Sequence, residues 1–118
     1  MKLSGRVLLA ILIGLGSVSA GDAADLSRGK LVFDIWCAGC HEPLPGRSYA
    51  PPAGTYVLNK RYHGSKPAAL EQRTDLSAAY IRAMVRNGRN MMPPTRKTEV
   101  DNADLDALAA YLTRNNPR

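Results

Sequence analysis

The stretch Cys37-Ala38-Gly39-Cys40-His41 decides how this sequence is interpreted, because it holds the chain's two cysteines and one of its two histidines. The two residues between the thiols are small, so the backbone there can approach a bound group closely. In shuffled sequences of this composition the five-residue pattern would appear on the order of once in several thousand. The pattern therefore indicates a functional element and not a chance arrangement.

Cys-x-x-Cys-His is the sequence to which haem c is attached covalently. The two thiols add to the vinyl groups of haem as thioethers, and the adjacent histidine reaches the iron. Two intervening residues let one turn of chain match the separation of the vinyl groups. We predict that Cys37 and Cys40 attach the cofactor, haem c, and that His41 is an axial ligand of its iron. One motif predicts one covalently bound haem per chain.

Two other uses of paired cysteines fit this sequence less well. A thiol-redox domain has its Cys-x-x-Cys at the start of a helix in a βαβ unit, whereas this pair follows a predicted helix. A structural zinc site needs four ligands, and His63 is the one further cysteine or histidine outside the motif. A zinc or thiol-redox binding module therefore remains an outside alternative.

The second axial ligand must come from elsewhere in the chain, and the candidates are Met84, Met91, Met92 and His63. Met84 lies on the predicted inward face of a helix, where an apolar side chain fills the core. Met92 is preferred because the prolines at 93 and 94 stiffen the loop that would hold its sulfur, while Met91 and His63 stay open. Ligands on both sides leave no vacant position on the iron, so we predict no catalytic residue.

The first twenty residues have the pattern of an export signal. Lys2 and Arg6 precede an apolar run over 7–18, and small residues follow. We expect cleavage after Ala20, with Ala23 as the second choice and a site as late as residue 24 left open, so the domain covers 21–118. The apolar run is shorter than the roughly 20 residues that cross a bilayer. The mature chain is therefore expected in the periplasm, where haem c is matured, without a membrane span.

The chain carries a formal net charge of +6, but its Lys and Arg residues are scattered, and no set of aromatic residues is interleaved with them. This distribution is not typical of a nucleic-acid-binding protein. A mature domain of roughly 95 residues buries too little apolar surface to be very stable. A disulfide between cysteines three residues apart would add little, so a large covalent haem is expected to complete the core.

Hydrophobic periodicity predicts an all-α domain with three main helices, over about 25–36, 77–86 and from 102 onward. Asp25 is the candidate N-cap of the first helix, and Asp75 or Ser77 is that of the second. Five prolines and three glycines over 42–70 predict a wrapping loop with at most one short helical turn. The residues expected to point inward are Gly29, Val32, Phe33, Trp36, Tyr80, Ile81, Met84, Val85, Leu105, Leu108, Ala109 and Leu112.

With these residues identified, the chain resembles the class I cytochromes c. The segment GKLVF at 29–33 is similar to the first-helix pattern of that family, and LAAYL at 108–112 is similar to its terminal-helix pattern. The resemblance implies the small class I fold, in which helices wrap one haem and the two terminal helices cross closely at the glycine.

A narrower resemblance is to the cytochrome subunits of flavoprotein hydroxylases of the p-cresol methylhydroxylase and eugenol hydroxylase kind. It rests on AYIRAMVRNG at 79–88, followed after three residues by Met92-Pro93. The loop over 56–73 is longer and more basic than theirs. The resemblance implies that a flavoprotein subunit oxidises an alkylphenol or related alcohol and passes single electrons to this chain. A free carrier for a quinoprotein alcohol dehydrogenase or a terminal oxidase is the alternative.

Two finer expectations concern the surroundings of the haem. Arg89, Arg96 and Lys97 flank the Met92 loop and are predicted to steer an acidic redox partner. The backbone carbonyl of Pro51 or Pro52 is predicted to accept a hydrogen bond from the second ring nitrogen of His41, as metal-bound histidines usually require.

Overall fold

The structure is a computed structural model, and it describes residues 20–47 and 49–117. The predicted export signal therefore lies outside the described residues, apart from Ala20. Ala20 and the second cleavage candidate, Ala23, belong to the first helix.

Five α-helices make up the described part of the chain. They are α1 (Ala20–Trp36), α2 (Ala38–His41), α3 (Ala53–Tyr62), α4 (Ala78–Asn87) and α5 (Asn102–Thr113), with a 3-10 helix at Leu70–Gln72. Within residues 20–47 and 49–117 there is no strand, only an isolated bridge between Arg89 and Met92. The all-α prediction is confirmed, and the arrangement agrees with the small class I fold that the resemblance implies.

The crossing of α1 and α5 organises the core. A Cβ atom placed on Gly29 would lie 2.1 Å from the Ala107 carbonyl oxygen, so only glycine allows the two backbones this approach. One turn later, Phe33 is fully buried, and its ring centroid lies 6.2 Å from that of Tyr111. Arg28 donates to Asp104 at 2.6 Å at the edge of the same contact. The close crossing predicted from Gly29 is confirmed.

Most of the residues expected inside the protein are buried. The core cluster consists of Val32, Phe33, Ala38, Leu76, Ile81, Val85, Val100, Leu105, Leu108, Ala109, Tyr111 and Leu112. Two predictions of burial were wrong, since Trp36 is 51% exposed and Tyr80 is 50% exposed. Trp36 is the last residue of α1, and Tyr80 lines an open cleft at the start of α4. Met84 is half-buried.

Helix α3 corrects the predicted wrapping loop. It covers ten residues, Ala53–Tyr62, where at most one turn was expected. The prolines at 51 and 52 lie directly before the first residue of α3, and the next proline in the chain is at 67. Pro52 takes the N-cap position, and His63 ends the helix in the left-handed conformation with φ of 48°. The loop was predicted from the number of prolines in the whole segment, although residues 53–66 contain none.

The ends of the other helices are close to those predicted. Ser77 caps α4 as expected, because its hydroxyl accepts from the Tyr80 amide at 3.1 Å. Asp101 caps α5 by accepting from the Asp104 amide at 2.7 Å. Helix α1 instead starts at Ala20, so Asp25 lies inside it and is not its N-cap. The alanines before Asp25 are strong helix formers and extend α1 toward the N-terminus.

Candidate functional site

The Cys-x-x-Cys-His segment forms one helical turn directly after α1. The amides of Cys40 and His41 both donate to the Cys37 carbonyl, at 3.1 and 2.9 Å. This turn is α2, which brings both thiols and the imidazole together at one place. Both cysteines are free. Cys37 packs partly buried against the core, and burial raises the pKa of its thiol to about 11, while Cys40 is exposed.

The His41 imidazole packs against the start of α3. A Cβ atom on Gly54 would lie 2.6 Å from Cε1 and 2.8 Å from Nδ1 of the ring. Burial lowers the pKa of His41, so the imidazole is neutral at physiological pH. A neutral imidazole is the form that binds a metal.

The Nδ1 atom of His41 is buried without a hydrogen-bond partner among the described residues. The prediction that Pro51 or Pro52 would accept from it is therefore wrong in this structure. The Pro52 carbonyl instead accepts from the Tyr56 amide at 2.9 Å, as the first turn of α3 forms. A buried polar nitrogen without a partner costs about 1–3 kcal/mol. The position of His41 is thus determined by packing on Gly54 and not by a local hydrogen bond.

A polar clasp, made by Glu42, Arg47 and Thr55, holds the chain on the far side of His41. Glu42 accepts from the Arg47 amide at 2.7 Å and pairs with the Arg47 guanidinium at 2.6 Å. The buried Thr55 hydroxyl donates to the Glu42 carbonyl at 2.7 Å. The bond from Thr55 joins α3 to the end of α2. The clasp has no local signal in the sequence, because helix α3, which was not predicted, brings Thr55 to Glu42.

The loop that carries Met92 is a tight, hydrogen-bonded turn. Arg89 and Met92 exchange two backbone hydrogen bonds, of 2.9 and 3.0 Å. Gly88 precedes the turn with φ of +65°, and a Cβ atom on it would lie 2.4 Å from the Met92 carbonyl oxygen. The Thr95 amide donates to the Val85 carbonyl at 2.8 Å, which fastens the far end of the loop to α4.

The four candidates for the second axial ligand differ in burial. Met92 is partly buried and packs against the core cluster, as Cys37 does. Met91 is 82% exposed. Met84 is half-buried on α4, and His63 is exposed at the end of α3. Among these candidates, Met92 is the one that the structure places in contact with the same apolar core as the cysteine motif.

The residues of this site suit covalent haem. Haem c is attached through two thiols, and its iron is bound by groups such as a neutral imidazole and a thioether. The buried Nδ1 atom of His41 has no hydrogen-bond partner among the described residues, so local hydrogen bonding does not explain the orientation of this side chain. In the described part of the chain, no three of the residue types His, Cys, Asp and Glu gather to hold a metal ion. A structural zinc site therefore has no support there.

Comparison with known proteins agrees with this donor set. The family described as cytochrome C oxidase, cbb3-type, subunit III matches residues 24–112. Cytochrome c6 of Synechocystis is 34% identical over 110 residues, which cover 90% of this chain and 82% of that protein. Cytochrome c6 of Cyanidioschyzon merolae is 32% identical over 90 residues, covering 76% of this chain and 74% of that protein.

A relative of another kind is the cytochrome c subunit of the hydroxylating 4-cresol dehydrogenase of Pseudomonas putida. It is 31% identical over 114 residues, which cover 96% of this chain and 81% of that subunit. No solved structure matches the chain significantly.

These relatives are cytochromes or a cytochrome subunit, and none is described as a catalytic chain. The protein is accordingly an electron carrier with covalently bound haem c. From the donor set and these matches, the chain belongs to the c-type cytochromes, in the family described as cytochrome C oxidase, cbb3-type, subunit III.

Proposed function

We propose that Cys37 and Cys40 form the two thioether bonds to haem c, and that His41 and Met92 are the axial ligands. The observation that carries the proposal is the neutral His41 imidazole, which packs on Gly54 with its Nδ1 atom buried, at the end of a turn that holds two free thiols. A ligand held by packing keeps its orientation when the iron changes its oxidation state. Little rearrangement then accompanies each electron transfer.

Met92 is the better second ligand because its loop limits its motion. The two backbone bonds to Arg89 and the two prolines that follow restrict the residues on both sides of it. Met91 lies in the same turn, but its exposed side chain has no core contact to hold it. Because the loop is already restricted, less conformational entropy is lost when the Met92 sulfur binds the haem iron.

Histidine and methionine ligation gives the carrier its chemical character. When bound, the haem supplies a reversible one-electron couple, whose potential methionine ligation raises. With both axial positions filled, no site is left for oxygen or an organic substrate. The chain's residues serve to hold the cofactor, and electrons pass one at a time through the exposed haem edge.

For the electron donor, we propose the flavoprotein subunit of a hydroxylase or dehydrogenase that oxidises an alkylphenol or related alcohol. The 4-cresol dehydrogenase subunit supports this assignment over nearly the whole chain. A second assignment, a free carrier that serves a quinoprotein alcohol dehydrogenase or a terminal oxidase, is supported by the cytochrome c6 relatives and by the oxidase named in the family description.

The proposed place of action is the periplasm. The predicted signal over residues 1–20 and the location of haem c maturation support it. No helix in the described part of the chain is long and apolar enough to span a membrane.

The basic residues beside the Met92 loop are not equivalent. Arg96 is paired with Glu99, whose carboxylate accepts from both the Arg96 amide and its guanidinium, at 2.7 and 3.1 Å. Within the described residues Arg89 and Lys97 form no ion pair. We therefore assign the steering of an acidic partner to Arg89 and Lys97, with a smaller contribution from Arg96.

The ligand assignment is tested by absorption spectra of the oxidised and reduced protein, with Met92→Ala, Met91→Ala and His63→Ala variants beside the wild type. We expect a haem c spectrum in all four proteins and loss of the weak near-infrared methionine–iron band in Met92→Ala alone. Loss of the band in Met91→Ala instead would move the ligand to that residue. The absence of haem from the wild type would overturn the whole proposal.

The two partner assignments are separated by purifying the native protein from periplasm at low and high salt. A permanent subunit should co-elute with flavin absorbance in a fixed ratio to haem. A free carrier should elute alone, at the size of a small monomer, in both conditions.

A further inference from the structure

The outer face of α1 carries an exposed apolar patch. Leu31 and Ile35 are 58% and 63% exposed, and they lie one turn apart on the same face of the helix. Trp36, the last residue of α1, follows Ile35 and is half-exposed. We call these three residues the α1 patch. The core-facing side of the same helix buries Val32 and Phe33, so packing within the chain does not require the α1 patch.

The charges that flank the α1 patch on the helix are already paired. The Lys30 ammonium donates to both oxygens of Asp34, each at 2.6 Å. The Arg28 guanidinium donates to Asp104, also at 2.6 Å. A partner that bound here through charged groups would have to compete with these pairs. The α1 patch therefore suits a partner surface that is itself apolar and uncharged.

The α1 patch ends at the proposed haem attachment. Cys37 follows Trp36 directly, and its amide donates to the Phe33 carbonyl at 2.9 Å, so this cysteine continues the last turn of α1. Consecutive Cα atoms are about 3.8 Å apart. A protein that touches Trp36 thus reaches the residue next to a proposed thioether bond. Because the rate of electron transfer falls steeply with distance, this position favours a redox partner over other kinds of protein.

The size of the α1 patch favours a brief contact. Its exposed side-chain area is on the order of 300 Å², whereas a stable interface buries about 800 Å² on each partner. Weak electron-transfer encounters use smaller surfaces than stable complexes do. The α1 patch therefore matches a transient redox contact better than a permanent dimer of this chain.

We propose that the α1 patch is the contact surface for a redox partner protein that presents an apolar, uncharged surface of its own. The inference rests on the function proposed above, because it takes Cys37 to be bonded to the haem. During the contact, one electron passes from the partner's reduced cofactor to the ferric haem iron, which becomes ferrous, and no bond forms or breaks. Arg89 and Lys97 guide the approach, and the α1 patch holds the two proteins together during the transfer.

Electron self-exchange between oxidised and reduced copies of this protein provides the test, since each copy is a redox protein that presents the α1 patch. The rate is measured from the NMR line broadening of the haem methyl signals in mixtures of the two forms. The test variants are Trp36→Ala and Ile35→Ser. Their matched controls are Tyr49→Ala and Val57→Ser, at an exposed aromatic residue and an exposed β-branched residue outside the patch.

We expect Trp36→Ala and Ile35→Ser each to slow self-exchange about tenfold, as for residues at the centre of a contact. The salt dependence of the rate should stay the same, because neither substitution removes a charge. The two controls should leave the rate unchanged. Equal slowing in test variants and controls would overturn the proposal, and so would unchanged rates in both test variants.

Two further measurements identify other occupants of the α1 patch. A dimer in sedimentation that both test variants abolish would make the patch a permanent interface between copies. Binding to vesicles of neutral phosphatidylcholine that both variants abolish would make it a membrane contact. Either result would overturn the proposal.

The near-infrared band and the midpoint potential, recorded for every variant, test the ligation separately. A variant that slows self-exchange while both stay unchanged has lost the contact and not the haem site. Absence of the band from the wild type would overturn the proposed methionine ligation, whereas the ratio of self-exchange rates would still decide the docking proposal.

Discussion

The backbone of Gly54 lies against the His41 imidazole, in the space that a Cβ atom would need. Such an atom would be 2.6 Å from Cε1 of the ring and 2.7 Å from the Cys40 carbonyl oxygen. Both neighbours belong to the turn that carries the thiols, and neither is the free end of a flexible side chain. One glycine on α3 therefore determines how close that helix comes to the proposed iron ligand.

Replacing Gly54 with alanine should push the imidazole and the α2 turn away from α3. We expect a loss of about 2 kcal/mol of unfolding free energy, as for other overpacked sites, and a changed haem absorption spectrum. Denaturant unfolding and visible spectra measure the two effects. The control is Ala53→Ser at the exposed neighbouring position, which should change neither. An unaltered spectrum in Gly54→Ala would show that the contact does not position His41.

Alanine at Gly88 should disturb the Met92 turn. Gly88 has φ of +65°, and its Cβ would lie 2.4 Å from the Met92 carbonyl oxygen, whereas Gly64 has φ of +80° with nothing within 4 Å. Gly64→Ala thus measures the strain of positive φ alone, about 1–2 kcal/mol. Gly88→Ala should cost more and should weaken the near-infrared band on mild heating. Equal behaviour of the two variants would contradict the proposed role of the turn.

Alanine at Gly29 should separate α1 from α5 without reaching the haem ligands. Its Cβ would lie 2.1 Å from the Ala107 carbonyl oxygen and 2.6 Å from Tyr111 Cβ. We expect a loss of about 3 kcal/mol in chemical denaturation with the near-infrared band retained. Loss of the band at an early stage of unfolding would instead show that the crossing and the ligands are coupled.

Stability at high pH should depend on Tyr111. Burial, together with the hydrogen bond to Glu71, raises the pKa of its hydroxyl to about 12, against about 10 in an unfolded chain. The neutral hydroxyl therefore stabilises the fold fully below about pH 10, and this stabilisation is lost as pH rises through about 12. Tyr111→Phe should be less stable by about 1 kcal/mol at neutral pH. In unfolding measured over a pH series, the difference should shrink above pH 10, and a constant difference would contradict this account.

The three main helices α1, α4 and α5, and the crossing of the terminal pair, were predictable because each leaves a local signal. Ser77 and the acidic start of α5 mark helix ends, and apolar residues such as Leu105 and Leu108 recur at helical spacing. Helix α3 was not predictable in the same way. Its apolar residues, Tyr56 and Val57 among them, are largely exposed, so the helix has no buried stripe for periodicity to detect.

The motif residues of the proposed site could be selected from the sequence because the spacing of the thiols and the histidine carries the chemistry. Their surroundings could not be identified, since they depend on contacts between distant segments. Gly54 meets His41, and Thr55 meets Glu42, through the unrecognised helix α3. The exposure of Trp36 was not predicted for a related reason. The helical periodicity of α1 indicates the face on which Trp36 lies, but it does not indicate where the helix packed against that face ends.

The pairing of Arg28 with Asp104 joins residues 76 apart in sequence. Closing so long a loop costs about 4 kcal/mol of chain entropy by the usual logarithmic rule, before any of the α1–α5 core is gained. The first and last helices can therefore meet only after almost the whole chain has been delivered. Until α5 packs on α1, the cysteine motif at the end of α1 lacks part of the core behind it and would be open for the proposed attachment of haem. The interval between delivery of the cysteine motif and delivery of α5 would therefore set the time available for cofactor attachment.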